Sequence, residues 1–161
     1  MTDAIPADDM PSVAQLAAEE AELQLTSFTN DDAWDLGCAL VAVGRRDKAP
    51  IAVDISRNGH RLFHAVLQGG VPDNDIWLER KVRVVNRFGH SSLFMRQAAI
   101  ARGTTFEADT GLDPDVFAAH GGAFPLIVRS VGVVGAVAVS GLPQLADHRL
   151  VVATLRAHLS R

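Results

Sequence analysis

The 161-residue sequence predicts an α+β fold: a five-stranded antiparallel sheet with flanking helices. Three observations point there. Asn58-Gly59 joins two alternating apolar runs, the strongest short hairpin signal. A second pair of β-rich runs meets near Ser130. Segments of helical periodicity stand apart from these tightly joined pairs, which favours antiparallel hairpins covered by segregated helices.

The elements follow in order. Residues 12–22, SVAQLAAEEAE, read as a helix rich in Ala and Glu, and LQLTSF (23–28) alternates as a short strand. Thr29 and Asp32 have capping-box spacing and open a helix to about residue 46. From Leu36 to Val43 it is almost wholly apolar, which predicts a central, buried helix. PIAVDIS and HRLFHAVL form the hairpin, with Arg57 facing His60, Val53 paired with His64, and Ile51, Val53, Ile55, Leu62, His64 and Val66 on one face. Residues 73–88 and 91–102 are helices broken at Gly89, and residues 113–119 make a short helix. GAFPLIVRSVGVVGAVAVSG gives two strands, and Pro143 starts a final helix to about Leu159. Residues 1–22 are read as an acidic segment and helix ahead of a single domain at 23–161.

Bulk composition sets limits. A chain with 48% hydrophobic residues can fill a core, and no apolar run approaches a membrane span. The acidic start lacks the order of a secretory signal, and one cysteine, Cys38, excludes an internal disulfide and a cysteine-rich zinc site. A cytoplasmic protein without membrane insertion is expected. Residues 1–35 hold nine of the 19 acidic side chains and no Lys or Arg; the other ten acids face 15 bases, leaving +5. That split predicts an N-terminal segment lying across a basic surface, on its own chain or a neighbour's, with residues 1–9 a solvated acidic tail. Overall acidity and the lack of aromatic-basic interleaving exclude nucleic acid as a partner.

Residues 73–92, DNDIWLERKVRVVNRFGHSS, carry the main candidate site. On a helical wheel Arg80, Arg83 and Arg87 share a stripe with Ile76, and Trp77, Val84, Val85 and Phe88 form the neighbouring apolar face. Lys81 falls inside that apolar face. Its ammonium either snorkels or pairs within the fold, or it meets a small anionic ligand in a cleft beside Trp77, with Arg80 and Arg87 as planar forks. Gly89 suits a helix C-cap and Ser91 or Ser92 the next N-cap, whose amides could bind the same anion beside His90. The turn at Gly121-Gly122, after His120, brings backbone close to a ligand or is plain turn chemistry.

Other candidates are thinner. The six histidines show no paired metal-binding spacing. His64, on a strand face, is a hydrogen-bonded core histidine or a haem-iron ligand. Asp147 and His148 open the last helix, where the acid suits the helix dipole, and Cys38 among apolar neighbours reads as an inert thiol. No catalytic residue is identified.

GGAFPLIV followed by GVVGAVAVSGLPQLADHRLVV resembles the closing signature of the GlcG/HbpS-like haem-degrading-domain family. NDIWLERKVRVVNRFGHSS resembles its branch of small uncharacterised cytosolic proteins, and the similarity runs from about residue 20 to the C-terminus. The resemblance implies a profilin-like fold, homo-oligomers and haem as a possible cofactor, with His64 and His90 the histidines available to it. The leading expectation is an oligomeric cytosolic ligand-binding protein holding haem or another carboxylated small molecule. Arg80, Lys81 and Arg87 would meet its acid groups and Trp77 and Phe88 its ring. The alternative is a non-catalytic, chaperone-like interaction oligomer; an enzyme using Asp147-His148 or Cys38 is the third.

Overall fold

The computed structural model describes residues 9–161, so the expected acidic tail lies outside the described residues except for Asp9. Among them are six helices and five strands. Helix α1 (Val13–Glu22) starts at Ser12, whose side chain and that of Gln15 cap each other's backbone. Strand β1 (Gln24–Leu25) is two residues long, much shorter than predicted. Helix α2 (Asn30–Arg46) begins at the expected Thr29–Asp32 capping box. Strands β2 (Ala52–Arg57) and β3 (His60–Val66) turn through Asn58 and Gly59, both at positive φ as a two-residue hairpin requires. Helices α3 (Pro72–Phe88) and α4 (Ser92–Ala101) are separated by the left-handed Gly89.

Helix α5 (Phe106–Thr110), capped by Thr105 and ended by Gly111, was not expected. The helix expected at 113–119 is absent; there the Asp113 side chain accepts from the Asp115 amide in a tight turn, an alternative to helical bonding. Strands β4 (Ala123–Val128) and β5 (Gly132–Ser140) turn near Ser130, and helix α6 (Gln144–Leu159) follows Pro143, both as expected.

The sheet runs β1-β4-β5-β2-β3. It is mixed, not antiparallel throughout: β1 lies parallel to β4, because no hairpin joins the two and the chain reaches β4 only much later. The β2–β3 register also differs. An irregularity between Ile55 and Ser56 pairs Val53 with Ala65 and Asp54 with His64. Since side-chain direction has period two, that single extra residue moves His64 off the Val53 face and onto the Asp54 face.

Helices α2 and α6 cover one sheet face, burying Leu36, Leu40, Val151 and Leu155 against Val53, Ile55, Phe124, Leu126 and Val137. The other face presents Ala52, Ala123, Ala136 and Ala138, small enough to let α3 lie close with Leu78 and Val85. Each fully buried Leu or Val contributes about 1.5–3 kcal/mol. Helix α1 seats Leu16 against Leu93 of α4 and Leu145 of α6. The prediction that α2 is buried all round fails: Leu36, Gly37 and Leu40 are covered, while Cys38, Ala39 and Ala42 are exposed. No described helix is long and apolar enough to cross a membrane.

Candidate functional site

Lys81 points inward, as the wheel implies, and it meets an anion from its own chain. Its Nζ donates to Val139 O at 3.0 Å and to Asp147 Oδ2 at 3.2 Å, with both side chains almost fully buried. Burial lowers the Lys81 pKa while Asp147 pulls it back up. Burial pushes Asp147 up to about 6, opposed by Lys81 and the Leu142 amide, which donates to Oδ1 at 3.1 Å. Gly121 and Gly122 make room for this joint. A Cβ on Gly122 would stand 2.7 Å from Lys81 Nζ and collide with Val139 O, and one on Gly121 would collide with Gln144 O. The backbone that the two glycines admit is the protein's own.

The neighbouring cations hold the 111–118 segment. Arg80 lies over the Trp77 ring, its guanidinium carbon 4.4 Å from the centroid, and directs its fork at Pro114 O. Arg83 reaches Val116 O. Trp77 meets His120 edge-on at 5.1 Å. The His120 pKa falls to about 4, chiefly through burial and then through Arg96, Lys81 and Arg80. Trp77, Arg80, Lys81, Gly121 and Gly122 therefore do converge, but on one another. Arg87 and Phe88 stand apart from that corner: the Arg87 guanidinium rests beside the Phe88 and Phe117 rings, exposed and with no ion pair among the described residues.

The α3–α4 turn is arranged differently. Ser91 caps α4 by accepting from the Phe94 amide, and Ser92 ties α4 to β4 by bonding both backbone groups of Ala123. Between the helices stands His90, its ring stacked on Phe94 at 4.0 Å and its side chain 43% exposed. Nδ1 is 2.7 Å from Oε2 of Glu20, whose other oxygen accepts from the Ser91 amide at 2.8 Å. A carboxylate only accepts, so Nδ1 is the donor, and in the neutral ring Nε2 then holds the lone pair. No partner meets Nε2 among the described residues. The turn at Gly89 lies beside Val133, itself partly exposed.

Glu20 was missed in the sequence reading, though a signal existed. It follows the buried Leu16 by four residues, so it shares the inward stripe of α1. Its neighbours bind likewise: Glu19 meets His148 Nε2 at 2.7 Å, and Glu22 holds Arg156 through both oxygens. Through α1, the described part of the acidic segment thus lies across basic groups of its own chain. Asp147 and His148 are thereby drawn to separate partners and form no acid–base pair. Cys38 is exposed, not enclosed as expected.

His64 faces two carboxylates, with Nδ1 3.4 Å from Asp54 and Nε2 3.3 Å from Asp75. Burial raises the Asp54 pKa, countered by Arg61 and then His64. Both nitrogens of His64 face carboxylates without a hydrogen bond to either, whereas Nε2 of His90 faces no carboxylate among the described residues. No group of three His, Cys, Asp or Glu side chains among the described residues could hold a metal ion.

Residues 28–156 match the family model described as "Haem degrading protein HbpS-like". A UPF0303 protein of Streptomyces coelicolor is 57% identical, over 90% of this chain and 92% of its own. One from Edwardsiella ictaluri is 49% identical, over 87% and 89%. The crystal structure of the Ybr137w protein superposes with a TM-score of 0.86 at 35% identity, over 94% of this chain and 90% of that one. HbpS itself, at 19% identity and a TM-score of 0.64 over 86% and 94%, shares the fold. The chain belongs to the HbpS-like haem-degrading protein family, within its UPF0303 group.

Proposed function

We propose that this HbpS-like chain binds haem, with His90 as the protein's ligand to the iron. The observation that carries this reading is the hydrogen bond between Nδ1 of His90 and the buried Glu20 carboxylate. It fixes the tautomer, raises the donor strength of the ring and turns a bare Nε2 toward solvent. The family description supplies the class of ligand. Because the macrocycle already binds the iron, a single histidine, His90, would suffice to hold the group.

The surroundings fit such a group. Phe94 stacks on the imidazole and Val133 lies beside the preceding Gly89, both apolar, and the exposed Arg87 in the last turn of α3 would be the guanidinium available to a propionate. Arg80 and Lys81 take no part in this reading, because Pro114 and Asp147 already occupy them. When bound, haem supplies the iron centre; the chain's residues hold and orient it.

Titrating haem into the purified protein should give a saturable Soret shift. His90→Ala should abolish it, and Glu20→Gln should weaken binding about ten-fold by releasing the ring. A linear, unsaturable response, or a His90→Ala variant that titrates like the wild type, overturns the reading.

A further inference from the structure

Helix α2 has a face that the rest of the described chain leaves uncovered. Asp31, Trp34, Cys38, Ala42 and Arg45 are all exposed, Trp34 at 62%. Their spacings of three, four, four and three place them on one stripe along the helix. A helix apolar for most of its circumference ordinarily has something packed on every side. Here the inner side packs on the sheet through Leu36 and Leu40, and the outer side lies bare.

The order of residues along this stripe says what covers it. Cys38 is the middle residue of Asn30–Arg46. Trp34 and Ala42 lie four residues to either side of it, and Asp31 and Arg45 lie seven. An antiparallel helix related by a two-fold axis through Cys38 would set Asp31 against the partner's Arg45, Trp34 against the partner's Ala42, and Cys38 against itself. Acid meets base, the largest side chain meets one of the smallest, and the axis passes between two thiols. Such self-complementarity is what an isologous contact needs. Ala39 and Ala42 keep the outer surface low enough for two helix axes to approach at about 8–10 Å. The flanking charges already have partners, Asp35 with Arg161 and Arg46 with Asp47, whereas Asp31 and Arg45 form no ion pair among the described residues. Phe63 steadies the exposed Trp34 edge-on, 5.7 Å between centroids.

We infer that the outer face of α2 is an interface between two copies of this chain, packed antiparallel about Cys38. Trp34 is its central anchor, and the Asp31–Arg45 pairs at both ends set its register. This surface lies on the opposite side of the sheet from α3 and is independent of haem binding.

The test uses the full chain and its lone cysteine. Light scattering of the reduced protein should give at least twice the 17.2 kDa chain mass. Mild oxidation should trap a disulfide-linked pair through Cys38. Asp31→Arg and Arg45→Asp each place like charges opposite one another twice per dimer, and should weaken association about ten-fold or more. The double variant Asp31→Arg/Arg45→Asp restores opposite charges and should recover the mass and the cross-link. A monomeric wild type overturns the inference. So does an assembly whose mass ignores both single reversals, or a double variant no better than either single one.

Discussion

Lys81 can lie inside the protein because Asp147 arrives there from 66 residues further along the chain. Its inward direction is legible from the helical wheel, since the positions three and four residues further on, Val84 and Val85, are buried with it. The identity of its partner is not, because nothing local to residue 81 shows which acid the fold will deliver. The same holds for Glu20 and His90. Removing one member of the buried pair leaves the other uncompensated, so Lys81→Met should cost about 3–5 kcal/mol of stability in denaturant unfolding. Lys81→Met/Asp147→Asn keeps the acceptor for the Leu142 amide and removes both charges, so it should be clearly more stable than the single variant. A double variant as unstable as the sum of the singles would contradict the pairing.

At the scale of elements, local chemistry is what the sequence discloses well. The Thr29 capping box, the Asn58-Gly59 turn, the Gly89 stop and the start after Pro143 all involve residues that satisfy backbone groups within a few positions. The misreadings have other causes. The parallel seating of β1 and the clamping of residues 113–118 by Arg80 and Arg83 depend on contacts distant in sequence, and the irregularity in β2–β3 comes from one extra residue that the turn signal does not reveal. Gly121-Gly122 depends on distant contacts too: the sequence leaves it a close approach to a ligand or plain turn chemistry, and the structure sets it close against Val139, Gln144 and Lys81. Two glycines separate strain from crowding. Gly59→Ala meets open space and should cost only about 1–2 kcal/mol of left-handed strain. Gly122→Ala adds a collision with Val139 O, so its loss should be distinctly larger when the two are compared by thermal unfolding. Equal losses would show that the crossing is looser than described.

At the scale of the molecule, the acidic N-terminal segment and the basic remainder are joined by α1. This helix lays Glu19, Glu20 and Glu22 on His148, His90 and Arg156. The charge asymmetry announced that union in the sequence but could not say which bases would be covered. One consequence is functional: the proposed ligand histidine is oriented by a residue 70 positions away, so α1 is part of the site. Nitrogen NMR of the histidine side chains in the haem-free protein, at mildly alkaline pH, reads that arrangement directly. The account predicts that His90 holds its proton on Nδ1 with Nε2 bare, and that Glu20→Gln disturbs this preference. A wild-type His90 protonated on Nε2, or exchanging freely between its two tautomers, would contradict it.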